Sequence, residues 1–163
     1  MWANFVIGAN GATTLSGSSS ALSSPRDRER FHALRSQVRA IVIGGNTFRG
    51  EPYRKSLLPL YVATRSTNDE LKARNPEAIF LHLSPREITQ RALQEAGAPI
   101  LIEAGANFIS PLLRETLINR LFLTRSNRDG DGDFYAIDDD LSSYQLTGVE
   151  EFPEERFEIW EPR

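Results

Sequence analysis

The chain has 163 residues, with 19 Lys plus Arg against 22 Asp plus Glu, a net charge of −3 and no cysteine. That length suits one domain that buries a core without covalent staples, and the missing cysteines exclude a disulfide framework, a thiolate metal site and a cysteine nucleophile. The mild acidity excludes the broad basic footprint of a nucleic-acid binder, and the apolar runs are too short to cross a bilayer.

Met1-Trp2-Ala3-Asn4 enters an apolar run with no basic region before it, unlike a secretory signal, so a cytoplasmic location is expected. Trp2 to Ile7 reads as the first buried strand. The Ser- and Gly-rich stretch from Ser16 to Ser24 reads as a flexible loop beside a site. Ser24-Pro25-Arg26-Asp27 carries helix-start signals: a hydroxyl cap, proline at the first helical position and an acid in the first turn. Phe31, Leu34 and Val38 follow at spacings of three and four and predict one buried stripe.

Ala40 to Ile43 and Leu60 to Ala63 are the next strands, apolar at consecutive positions as in strands covered on both faces. Ala78 to Leu83 and Pro99 to Glu103 are the fourth and fifth. Between them a helix starts at Ser84, where Glu87 completes a capping box, and stops at Gly97. A third helix is expected from near Asn107 through Leu113, because Pro111 is tolerated only in a first turn. Beyond Leu117 the runs around Leu121 and Leu123, Gln145 to Val149 and Phe157 to Trp160 alternate, predicting an antiparallel set that closes the sheet. The expected class is α/β, with a mixed, mostly parallel central sheet flanked by helices and antiparallel C-terminal strands. No internal boundary or repeat divides residues 1–163.

Chemistry is expected at the carboxyl ends of the strands. Glu103-Ala104-Gly105-Ala106-Asn107 and Gly44-Gly45-Asn46-Thr47 are glycine-bearing turns that would let a backbone approach a phosphate. Neither is a Walker loop or a GxGxxG fingerprint. Thr64-Arg65-Ser66 offers a cation and two hydroxyls for a 2′-phosphate. Glu103 ends an apolar strand, where desolvation penalises a charge, and could bind a substrate or help proton transfer. His32 and His82 have no metal spacing, and no nucleophile elbow is present. Asn127-Arg128-Asp129-Gly130-Asp131-Gly132-Asp133 approaches a calcium loop, but it follows a strand-like segment, and Asp138 stands where the loop needs glutamate. A solvated acidic hairpin loop is expected instead.

Ser23 to Arg35, Ala40 to Pro52 and Ile100 to Ala106 together resemble the C-terminal reductase domain of the bifunctional riboflavin-biosynthesis deaminase/reductase, over nearly the whole chain. The resemblance implies a dihydrofolate-reductase-like fold, NADPH as cofactor and a homodimer. It implies reduction of the ribosyl carbon of 5-amino-6-(5-phosphoribosylamino)uracil to the ribitylamino product. Carried over by position, Ile7, Thr47, Glu51, Gly105, Ala106, Asn107 and Phe108 would line the nicotinamide and pyrophosphate, with Arg65 and Ser66 near the adenosine phosphate. Ser19, Arg35 and Glu103 would face the substrate, Arg54 would be a phosphate ligand, and Glu103 or Glu51 would carry the chemistry. The chain departs from that family where Asn4 replaces a lysine, Gly8-Ala9-Asn10-Gly11 replaces SLDG, Ala21 replaces a tryptophan and Glu51 replaces an aspartate. No deaminase segment is read before the match, so any deamination is expected of another chain. The alternatives are a dihydrofolate-reductase-like reductase of another small substrate, or a non-catalytic nucleotide- or calcium-binding module.

Overall fold

The computed structural model describes every residue except Glu51, Pro52, Arg54, Lys55 and Thr67. Its strands are β1 (Trp2–Ile7), β2 (Ala12–Thr14), β3 (Ala40–Gly44), β4 (Leu60–Ala63), β5 (Ile79–Leu81), β6 (Ile100–Ile102), β7 (Arg120–Ser126), β8 (Gly132–Phe134), β9 (Tyr144–Glu151) and β10 (Glu155–Pro162). The α-helices are α1 (Pro25–Arg35), α2 (Gly45–Gly50), α3 (Asp69–Arg74), α4 (Pro85–Ala96) and α5 (Ala106–Arg114), with 3₁₀ turns at Ser19–Ala21 and Ile137–Leu141. Eight strands form one sheet in the order β5-β4-β3-β6-β1-β7-β10-β9, and β2 pairs with β8 as a separate ribbon.

The helix starts follow local chemistry. Ser24 accepts from the Asp27 amide and Pro25 opens α1; Ser84 and Glu87 cap one another at α4, which ends at Gly97 with φ 82°. That positive φ suits a residue without Cβ. Two short helices, α2 and α3, were not anticipated. Six residues are too few to establish an apolar period, and α3 buries only Leu71.

Three expectations change in the structure. Strand β7 pairs parallel to β1, so in the main sheet the antiparallel pairs are only β7–β10 and β10–β9. The chain crosses through α5 between β6 and β7, and a helical crossover returns a strand in the parallel sense. Pro111 lies in the second turn of α5, not the first. The helix continues because Ile109, Leu112 and Leu113 bury fully beside it. Leu34 of α1 and Val38 beyond its end are buried, but Phe31 is only half-buried and turns to a cleft.

The acidic segment is exposed at Asp129, Asp131 and Asp133, and it is tied down along one side. Asn10 holds it: its Nδ2 donates to the Gly130 carbonyl at 2.9 Å, and its Oδ1 accepts from the Gly130 and Ala12 amides. Asp131 accepts from the Ser16 amide through both oxygens, and Thr13 donates to the Asp133 carbonyl. A Cβ on Gly130 would stand 2.3 Å from the Thr14 carbonyl oxygen, so only glycine allows this approach. Among the described residues no group of three or more His, Asp or Glu is arranged to hold a metal, and no helix is long and apolar enough to cross a membrane.

Behind the sheet, Asp140 joins α5 to the following 3₁₀ turn. It is 5% exposed and accepts from Ser110 Oγ, Tyr135 Oη and Arg114 Nε, each at 2.6 Å. Burial opposes its charge, but these donors together hold its pKa below the ordinary 3.8. A carboxyl whose folded pKa is depressed stabilises the fold above the unfolded value and loses that contribution as pH falls. Asp140→Asn should therefore cost about 1–3 kcal/mol at neutral pH. In urea titrations the gap to wild type should narrow as the pH drops below 3.8.

Candidate active site

The carboxyl ends of β3, β4 and β6 open into a cleft of about 1130 Å³. Strand β6 lies between β3 and β1, so the chain diverges there, with α2 and α5 leaving on either side. Ligands of open α/β sheets seat at such a point. The cleft is walled by the Gly44–Thr47 and Glu103–Phe108 turns, Thr64 to Ser66, the inner face of α1, and Thr13, Thr14 and Phe134 of the ribbon.

Glu103 is a buried polar point of this cleft, 6% exposed at the end of β6. Arg35, from α1, grips it with both prongs: Nε to Oε1 at 2.8 Å and Nη2 to Oε2 at 2.6 Å. Tyr53 donates its hydroxyl to the same Oε2. The Arg35 guanidinium also lies 4.3 Å from the Phe31 ring and 5.2 Å from the Tyr53 ring. Burial works against the Arg35 charge, yet the hydrogen bond and charge of Glu103 prevail and raise its pKa. Burial first, then the Glu103 carboxylate, pushes the Tyr53 phenol well above its usual range. Tyr53 is thus a neutral donor that spends its one O–H on Glu103, and Arg35 is a fixed cation that commits two N–H groups to it.

A second carboxylate lines the same cleft. Asp27 is 3% exposed and accepts from Thr124 Oγ1 at 2.6 Å. Asn4, between them on β1, has a buried Oδ1 with no hydrogen-bond partner among the described residues. The opposite end suits an anion. Gly105 caps α5 without a side-chain hydrogen bond, leaving the first amides of the helix open to the cleft. A Cβ on Gly105 or Gly44 would meet nothing within 4 Å, so open space lies before both turns. Gly45 differs, because a Cβ there would stand 2.8 Å from Thr64 Oγ1, and its requirement for glycine comes from packing. Arg65 and Ser66 are exposed on the rim.

The sequence profile of the RibD C-terminal domain matches residues 3–126. The chain belongs to the RibD C-terminal domain family. Among solved structures it is similar to a Thermotoga maritima diaminohydroxyphosphoribosylaminopyrimidine deaminase/5-amino-6-(5-phosphoribosylamino)uracil reductase (TM-score 0.77, 13% identity, 99% of this chain and 56% of that one). It is similar to a pyrimidine reductase-like protein from Corynebacterium diphtheriae (0.74, 17%, 99% and 91%) and to Acinetobacter baumannii RibD (0.69, 16%, 99% and 57%). At such identities the likeness shows the fold, a dihydrofolate-reductase-like α/β sheet. The chain spans 56% of the Thermotoga protein. No curated protein sequence matches it significantly.

In this RibD-type cleft the structure gathers Ser19, Arg35, Thr47, Arg65, Ser66, Glu103, Gly105, Ala106, Asn107 and Phe108 along one surface. Ile7 does not join them. The alternation of β1 turns its side chain into the core with Ala3 and Phe5, and Ile7 borders a smaller cavity of about 420 Å³. Glu51 and Arg54 lie outside the described residues. Sequence reasoning missed Tyr53, which stands in a polar segment with no periodicity to mark it. It read Asp27 only as a helix-start acid, a role its backbone does fill.

Removing one partner of a buried pair leaves an uncompensated charge and costs about 3–5 kcal/mol. Arg35→Met should lose about that much, whereas adding Glu103→Leu should recover most of it. A double-mutant cycle by chemical denaturation measures the coupling, and additive losses would show that the two side chains do not act as a unit.

Proposed function

We propose that this RibD-type domain is an NADPH-dependent reductase that takes the ribosyl carbon of a phosphoribosylamino-pyrimidine to the ribityl level, working in the cytoplasm as a single-domain homodimer. The observation that carries this reading is the uncapped start of α5 opening onto the same cleft as the Glu103–Arg35–Tyr53 cluster. When bound, the dihydronicotinamide supplies a hydride to the ribosyl carbon of the ring-opened imine, whose nitrogen takes up a proton.

The chain's own residues divide the remaining work. The amides of Ala106 and Asn107, with the α5 dipole, face a diphosphate. Arg65 and Ser66 at the rim meet the 2′-phosphate that separates NADPH from NADH. Thr47 and Phe108 flank the space between the turns, and Ser19 and Arg35 border the substrate end. Glu103 is committed to Arg35 and Tyr53, so it acts as a positioning carboxylate. The proton falls to Glu51, and a phosphate contact to Arg54, on the sequence resemblance alone. A lid of Thr13, Thr14 and Phe134 on the ribbon helps exclude water from this cleft.

Fluorescence titration should give tighter binding of NADPH than of NADH, and Arg65→Ala should remove about 1.5–3 kcal/mol of that difference. Loss of NADPH absorbance with a phosphoribosylamino-pyrimidine tests the reaction itself. Equal affinity for the two cofactors would overturn the NADPH assignment, and no oxidation with the pyrimidine would overturn the reductase.

A further inference from the structure

On the NADPH reading above, Arg65 and Ser66 meet the 2′-phosphate, and a histidine stands next to them. His82 follows β5 directly, and β5 pairs parallel with β4, Leu81 beside Ala63. The Thr64 amide donates to the Leu81 carbonyl at 2.9 Å, which carries the pairing past the last strand residue and sets His82 beside Thr64. Thr64 faces α2, since a Cβ on Gly45 would stand 2.8 Å from its Oγ1. His82, Thr64, Arg65 and Ser66 all line the cleft, and together they form its far wall.

The charges along that wall are one-sided. Among the described residues, the carboxylates that line the cleft are Asp27 on α1, Glu103 at the end of β6 and Asp133 on the ribbon. None comes from β4, β5 or the turns that follow them. The charged groups of the neighbouring elements are committed or turned elsewhere. Arg49 of α2 donates to Asn46 Oδ1 at 2.5 Å. At the start of α4, Glu87 accepts from the Ser84 amide and hydroxyl, and Arg86 pairs with Glu115. Helix α3 brings Asp69, Glu70, Lys72 and Arg74, none of which lines the cleft. Arg65 and His82 are both exposed, and among the described residues neither has a hydrogen bond or an ion pair. A guanidinium and an imidazole side by side, with no carboxylate to satisfy them, suit an anion.

We propose that His82 and Arg65 form a two-pronged site for the cofactor's 2′-phosphate, in which Arg65 is a permanent cation and His82 one that forms as the pH falls. The preference for the phosphorylated cofactor then grows on acidification. Protonated imidazole adds attraction to the phosphate, so proton uptake and binding favour each other. Protonation of the phosphate itself works the other way, because it removes charge from the ligand. A preference that rises on acidification therefore belongs to the protein.

Calorimetry with 2′,5′-ADP and 5′-AMP tests this, because the two probes differ only in the 2′-phosphate and need no catalysis. The ratio of their affinities cancels titration elsewhere in the cleft, that of His32 on α1 included. In wild type the ratio should grow about threefold to fivefold between about pH 8.5 and 6.5, the scale of an exposed ion pair across the imidazole range. His82→Gln should give a flat or falling ratio. His82→Lys should keep the phosphate preference high throughout and show no rise. A ratio that stays level in wild type, that still grows in His82→Gln, or that is lost in His82→Lys would overturn the role of His82 and leave the NADPH reading standing. Equal binding of the two probes at every pH would overturn both.

Discussion

Strand β6 holds only three residues, Ile100, Leu101 and Ile102, yet β3 pairs with it on one side and β1 on the other. All three side chains are fully buried. Inserting so short a strand between two longer ones forces the chain out of the sheet at Glu103 and straight into α5. The cleft, the buried carboxylate and the uncapped helix start all follow from that exit.

The buried carboxylates of this fold are compensated to different degrees. Asp140 has three donors and serves as a clasp between α5 and the turn behind it. Glu103 also has three hydrogen bonds, from two side chains, and ties α1 to the sheet. Asp27 takes a single recorded donor and faces the cleft. The pull of Arg35 toward Glu103 also explains why α1 turns Phe31 to the cleft. The guanidinium stacks on that ring on its way to the carboxylate.

The ribbon of β2 and β8 adds a rim that the main sheet does not supply. Its hydrogen bonds come from Asn10, Thr13 and Asp131, and its close approach depends on Gly130. Asn10 marks a departure from the family's SLDG pattern, and in this chain its carboxamide is spent on holding the ribbon. The acidic run that resembles a calcium loop is thereby consumed as architecture, with Asp138 paired to Arg125.

Much of the framework is local and was legible in the sequence. Consecutive apolar residues mark β1, β3, β4 and β6 because strands covered on both faces need them. Ser24-Pro25 and Ser84 with Glu87 mark the starts of α1 and α4, since a cap is a hydrogen bond made within three residues. The glycine turns and Glu103 were marked by their position after apolar runs. What only the tertiary structure decided is which polar groups meet. Arg35 lies 68 residues from Glu103, Tyr53 lies 50 away, and Thr124 lies 97 from Asp27. Such pairings depend on strand order and register. Whether Glu103 is free or gripped, and whether Asp27 only starts a helix or also lines the cleft, carries no local signature. Both are settled by where β6 and β7 lie against β1.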